Sequence, residues 1–253
     1  MRRILVWDLP VRLFHILFGL AFLVAALLGF FGDDERPVFV AHLIAGLVAA
    51  LLVFLRLGWG LVGSRTAGLD GFRFRPSELV VWLRDAPSGK AARYVGHNPA
   101  SSLAIVLMVV LVLGLAGSGV LMARGGEWLE EAHELMAWAA VAVVAAHILG
   151  AVLHGLRHRD GTVSSMLTGH KPGSPEEGIA SARPLVAVGL LALTGAWTGA
   201  LVNGFDAGTG TLQVPLLGSL QAVEIEGGEG GGEGEDEGED EGEEDDEDEE
   251  DDD

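Results

Sequence analysis

Residues 133–154, HELMAWAAVAVVAAHILGAVLH, form an apolar run that carries three histidines. His133 and His147 are fourteen residues apart. At about 100° per residue, both rings leave roughly the same face of a helix. At about 1.5 Å rise they sit about 21 Å apart along its axis. Much of a hydrocarbon layer about 30 Å thick would lie between them. One apolar helix presenting two imidazoles inward, one near each membrane face, is what two stacked haem sites require. Such sites also need partner histidines at matching depths on other helices.

The chain supplies spans to carry them. Five stretches lack Asp, Glu, Lys and Arg: 13–31, 38–55, 99–123, 135–156 and 184–205. Each is long enough to cross a bilayer as a helix. A soluble helical core would show a polar stripe on its helices, and these do not. The basic start and apolar run of the first stretch resemble a signal peptide. No small-residue cleavage site follows before Asp33, Asp34 and Glu35, so the stretch reads as a retained helix.

The formal charge of -20 is unevenly spread. Of 36 acidic residues, 21 lie at or after Glu224, and the body of the chain is near neutral. No cysteine is present, which excludes disulfides, iron–sulfur ligation and thiolate zinc sites. Histidine is the remaining strong nitrogen ligand, and nothing in the pattern points to nucleic acid. Fourteen of the 16 Lys and Arg lie before the first span or between spans two and three or four and five. Arg36 and Arg124 alone fall on the other side. The excess places the N-terminus in the cytoplasm and, after five spans, the acidic tail outside.

In WDLP, at 7–10, Asp8 is a helix cap and Pro10 a first-turn proline. GWGLVGSR at 58–65 reads as a glycine-rich turn with a basic end. PSELVVWLRD at 76–85 reads as a short amphipathic helix on the membrane surface. Asn98 and Pro99 open the third span. Its Gly114, Gly117 and Gly119 permit close approach either of another helix or of a flat macrocycle. Glu127, Glu130 and Glu131 suit the first turn of the fourth span. Gly195 and Gly199 could pack the fifth span on the bundle or on a second copy, as a homodimer. From Glu226 onward only Gly, Glu and Asp occur, so that segment is expected to be disordered. It is either a solvated tail or an anionic lure for a basic protein.

Depth pairs the histidines. His15 lies near the cytoplasmic start of the first span, and His147 lies deep along the fourth, toward the same side. His42 lies near the outer start of the second span, and His133 near the outer start of the fourth. Two bis-histidine sites are implied: His15 with His147, and His42 with His133. A lone intramembrane histidine is commonly an interhelical hydrogen-bonding group; four that match in depth favour haem. Each level offers only two ligands, whereas zinc needs three or four. No mid-membrane carboxylate supplies a cation path. Two axial nitrogens suit a haem used for electron transfer.

Four segments, WDLPVRLFH at 7–15, GWGLVGSR at 58–65, YVGHNPA at 94–100, and LEEAHEL through HILGAVLHGLRHRDG, resemble the bacterial cytochrome b561 / nickel-hydrogenase b-type cytochrome family. The resemblance covers about residues 4–171. It implies four helices that hold two b-type haems and move electrons between membrane quinone and a partner. The family's four ligand positions fall on His15, His42, His133 and His147. The expected organisation is all-α. It comprises a four-helix di-haem cytochrome b domain at 1–171, a cytoplasmic linker at 172–183, a fifth transmembrane helix at 184–205, and a disordered acidic periplasmic tail at 206–253. The metal ligands are expected to be those four histidines, and no catalytic residue is assigned.

His97 could bond a haem propionate or lie near quinone, and a plain interfacial role explains it equally well. His154 reads as an interfacial or propionate-side residue, or as part of a quinone site. His158 reads as a basic helix end, and His170 as exposed. Arg12, Arg56 and Arg65 are candidates for propionate pairing; topology alone explains them equally well. The leading expectation is a di-haem electron-transfer subunit of the bacterial inner (plasma) membrane, within a respiratory chain. It would link quinone to a periplasmic redox protein, a hydrogenase or a small c-type cytochrome, with membrane lipid around it. Two other readings remain. One is a quinone-linked oxidoreductase for a small oxidant such as superoxide. The other is a non-haem membrane adaptor whose tail binds cations.

Overall fold

The computed structural model describes residues 2–32, 36–69, 76–85, 88, 94, 96–159 and 161–222. The expected acidic tail beyond residue 222 and basic residues Arg73, Arg75, Lys90 and Arg93 lie outside them.

Five helices are long and apolar enough to cross a membrane. They are α1 (Leu9–Phe31), α2 (Arg36–Val62), α4 (Pro99–Met122), α5 (Glu130–His158) and α7 (Pro184–Asn203). Two short helices, α3 (Pro76–Asp85) and α6 (Thr162–Thr168), lie between them in sequence. The caps form as the sequence suggests. Asp8 accepts a bond from Val11 N at 2.9 Å, and Asn98 accepts one from Ser101 N at 2.8 Å. Each is followed by proline in the first turn, where a missing N–H costs no hydrogen bond. Glu130 and Glu131 open α5, and Arg157 and His158 close it, each sign facing the favourable end of the helix dipole.

Helix α1 packs on α2, α2 on α4, and α4 on α5, while α7 lies against α1 and α2. Helices α1 and α5 meet through side chains, with the rings of Phe30 and Trp138 4.5 Å apart. The central core is Ala21, Ala49, Leu52, Val53, Val112 and Leu190. Many other leucines and valines, such as Leu20, Leu23, Val110 and Leu185, stay exposed on the helices. A row of exposed apolar side chains suits lipid, because helices in a bilayer need not hide them. Gly114 is where α4 and α5 come close: a Cβ there would lie 2.7 Å from Met136 Sδ. Gly195 and Gly199 of α7 would meet nothing within 4 Å, so that edge is turned away from the bundle.

At the N-terminal end of the bundle, β1 (Arg2–Leu5) pairs antiparallel with β2 (His170–Gly173). The segment expected as a linker is therefore stitched to the start of the chain, and the expected boundary at 171/172 falls inside β2. Further backbone bonds continue the seam: Val6 N and Trp7 N donate to Gly169 O, Ile179 N to Leu5 O, and Leu9 N to Ala182 O. Arg12 donates to the Met166 and Leu167 carbonyls at the end of α6. Arg65 donates to the carbonyls of Glu176 and Gly178.

Asp8 is the polar centre of this end. It is fully buried, and besides capping α1 it accepts from Trp59 Nε1 at 3.1 Å and Ser64 Oγ at 2.6 Å. The glycine-rich stretch departs from expectation here. Helix α2 runs through Gly58, Trp59 and Gly60, and the turn comes only after Val62. Gly60 serves the return of the chain: a Cβ there would lie 2.6 Å from Leu69 Cδ2.

At the opposite end, β3 (Phe205–Asp206), β4 (Thr211–Val214) and β5 (Gly218–Gln221) form an antiparallel sheet in the order β3-β4-β5. The expected disordered segment from residue 206 is corrected by this sheet. Leu212, Val214, Leu220 and Ala222 are buried against Val40, Leu43 and Leu47 of α2 and Leu201 of α7. Alternation of these side chains along β4 gives the strand one apolar face, and that face closes the end of the bundle.

Candidate functional site: two histidine pairs between α1, α2 and α5

His42 of α2 and His133 of α5 face each other with ring centres 6.2 Å apart and planes inclined by 66°. Each ring is held from behind. His42 Nδ1 is 2.8 Å from Ala25 O on α1. A carbonyl only accepts, so this nitrogen carries the proton. His133 Nδ1 is 2.8 Å from Ser118 Oγ on α4. The Ser118 hydroxyl donates to Leu115 O at 3.1 Å, which leaves its oxygen to accept from His133 Nδ1–H. In both rings the lone pair is then on Nε2.

This geometry suits one metal ion bound from two sides. A metal–imidazole bond is about 2 Å, and the bonded nitrogen lies about 1 Å from its ring centre, so in-line ligation sets ring centres about 6 Å apart. Fixing the second ring nitrogen on a protein acceptor is the usual way a ligating histidine is oriented. Gly29 makes room for the His42 ring: a Cβ at that position would lie 2.9 Å from His42 Cε1.

The second pair lies toward the N-terminal end. His15 of α1 and His147 of α5 are near enough to interact electrostatically. His147 Nδ1 is buried and has no hydrogen-bond partner among the described residues. Beside this pair lies His97, on which His15, His147, Arg56 and Lys171 all act electrostatically. Arg56 and Lys171 are buried, at 8% and 2% exposure. His97 packs on Trp7 with ring centres 4.9 Å apart. Burial, then the Arg56 guanidinium, then His147, Lys171 and His15 push the His97 imidazole down to about 3, so it is neutral at physiological pH.

Glycines flatten the surfaces beside these histidines. Gly19, Gly46 and Gly150 follow His15, His42 and His147 by one helical turn, on the same faces. A Cβ added at any of the three would meet no atom within 4 Å. Flat helix faces beside paired imidazoles fit the plane of a macrocycle. Among the described residues, no three His, Cys, Asp or Glu side chains gather as a metal cluster.

The four span histidines named from sequence thus come together as two pairs, with His97 beside the first. Arg12 and Arg65, candidates for propionate pairing, donate to backbone carbonyls of the 162–178 segment. His154 is buried on α5 with its ring 4.3 Å from His158. His170, expected to be exposed, is half-buried in β2, and its Nδ1 is 2.7 Å from Thr168 O. Sequence reasoning missed Ser118 and gave Lys171 only a topological role.

A family model described as prokaryotic cytochrome b561 matches residues 6–169. The chain is 26% identical over 212 residues to a probable Ni/Fe-hydrogenase B-type cytochrome subunit of Cupriavidus necator, covering 66% of this chain and 86% of that protein. It is 26% identical over 216 residues to the protein of the same description in Rhodobacter capsulatus, covering 66% and 80%. A third relative so described, from Rhizobium leguminosarum bv. viciae, is 25% identical over 210 residues, covering 66% and 87%. No solved structure matches the chain.

Proposed function

We propose a role that proceeds from one fact: the chain belongs to the prokaryotic cytochrome b561 family. It is accordingly a multi-pass membrane cytochrome of the b type, a carrier of electrons that uses haem b. Beyond that, we assign two haems per chain. His42 and His133 would hold one, and His15 and His147 the other. Haem b, when bound, supplies a one-electron couple at its iron.

The protein's own residues do the rest. Ala25 O and Ser118 Oγ orient two of the four imidazoles and keep their Nε2 atoms as lone-pair donors. Arg56 and Lys171 place positive charge inside the N-terminal end, where a carboxylate-bearing group would be stabilised. Neutral His97, beside Trp7, offers a hydrogen-bonding ring with no charge of its own. Two imidazoles per site would hold each haem from the protein, which suits transfer of electrons and not binding of a substrate at the metal.

The direction of the basic residues supports an N-terminus in the cytoplasm. The His15–His147 pair then lies toward the cytoplasm and the His42–His133 pair toward the periplasm. In this reading electrons pass across the membrane between the quinone pool and a periplasmic redox partner. The names of the relatives favour a hydrogenase as that partner. The observation that carries the assignment is the spacing and back-bonding of His42 and His133. The test is reduction of the purified protein by a quinol in lipid nanodiscs. Full haem reduction in the native chain, and loss of half the absorbance change in His133→Ala, is the expected result. No reduction by any quinol would remove the quinone link.

A further inference from the structure

The two histidine pairs differ in what stands behind their rings. His147 Nδ1 is buried with no hydrogen-bond partner among the described residues. His133 Nδ1 instead bonds a hydroxyl that is itself committed to a carbonyl. Ser118 is 6% exposed, so water hardly competes for either bond. It comes from α4, a helix that supplies no ligand histidine. A serine inside an apolar helix ordinarily turns its hydroxyl to a carbonyl three or four residues back and ends there. Here the same hydroxyl has a second bond, to a ring on another helix.

We propose that Ser118 is a positioning residue for the His42–His133 site: by accepting the His133 Nδ1–H and relaying the bond to the Leu115 carbonyl, it strengthens the imidazole as a donor and lowers the potential of that site. The physical reason is polarisation. An N–H drawn toward an acceptor leaves more electron density on the opposite nitrogen, which raises ligand basicity. Chained hydrogen bonds reinforce each other, since a hydroxyl already donating is a better acceptor. A more basic imidazole holding a haem iron would favour the ferric over the ferrous ion. Ser118 also fixes the ring's rotation and tautomer.

This inference rests on the assignment of His133 as a haem ligand, and the experiment keeps the two apart. The full-length protein is purified with its haem, and its b-haem absorbance is titrated against potential. His133→Ala comes first: loss of one of two components identifies the site, and retention of both overturns the ligand assignment itself. Ser118→Ala then should move that same component to a more positive potential by a tenfold change in the ferric/ferrous equilibrium, about 59 mV for one electron. The other component should stay in place. Ser118→Thr, which keeps the hydroxyl, should restore the native value. If Ser118→Ala binds only one haem, Ser118→Cys is read instead, and its weakly accepting thiol should give a smaller positive shift. Leu115 O also lies within hydrogen-bonding reach of His133. An unshifted component in Ser118→Ala and Ser118→Cys would mean that this carbonyl alone suffices, and would overturn the proposal. Equal shifts in the Ala and Thr variants would overturn it too.

Discussion

The rings of His42 and His133 stand 6.2 Å apart across the bundle, each anchored through Nδ1 to a helix that is not its own. Ala25 on α1 holds the first, and Ser118 on α4 holds the second. Three helix contacts, α1 with α2, α2 with α4, and α4 with α5, therefore converge on one pair of nitrogens. Ligand geometry here is a property of helix packing, and helix packing can be disturbed without touching a ligand.

Gly29→Ala offers such a disturbance. The added methyl would lie 2.9 Å from His42 Cε1 and 3.1 Å from its Nδ1. Those distances are too short for a non-bonded pair, so the ring must move and its bond to Ala25 O must lengthen. We expect one haem component to weaken or disappear while the other stays, with the helical content unchanged by circular dichroism. A spectrum and titration identical to the native protein would show that the ring has room to move.

Single histidine replacements should sort by pair. His42→Ala and His133→Ala are each expected to remove the same redox component. His15→Ala and His147→Ala should remove the other. Potentiometric titration of the four variants checks this. Loss of the same component in His42→Ala and His147→Ala would break the pairing. The depth argument makes this grouping legible from sequence alone, because periodicity and charge-free length are one-dimensional properties.

Asp8→Ala should destabilise the N-terminal end without removing a ligand. It deletes the α1 cap and strands the buried Ser64 hydroxyl and Trp59 N–H. A lost cap and two buried donors without partners together cost about 3 kcal/mol. Asp8→Asn keeps an oxygen for part of the set and should cost about half as much. Thermal unfolding in detergent, followed by haem absorbance, measures both. An Asp8→Ala protein as stable as the native one would show that these bonds are replaced by water.

Asp8 also marks how far the sequence could be read. Its capping role is local, set within three residues, and was legible along with that of Asn98. Its bonds to Trp59 and Ser64 join residues more than fifty positions apart, and no short motif encodes them. The pairing of β1 with β2 spans most of the chain and is equally silent, since four-residue strands carry too few alternations to declare themselves. Arg12 and Arg65 read as topology or propionate residues because their partners are backbone carbonyls, which every residue possesses. Ser118 was hidden for a related reason: nothing in one dimension distinguishes a serine that bonds its own helix from one that also holds a ring.

The sheet at 205–221 is not legible in the sequence, because it sits beside an acidic, glycine-rich run and its strands are short. Leu212 and Leu220 are fully buried in it. Leu212→Ala or Leu220→Ala should cost about 2–5 kcal/mol at this end of the bundle. Limited proteolysis should then cut within 205–222 faster than in the native protein, while the His15–His147 component titrates unchanged. Unaltered proteolysis would mean that the sheet does not depend on that core.

Haem stoichiometry tests the central claim most directly. A pyridine haemochrome assay on the purified full-length chain, set against protein concentration from amino-acid analysis, should give two b-type haems per chain. One haem would contradict the pairing of His15 with His147 alongside His42 with His133, and none would contradict haem binding by this chain altogether.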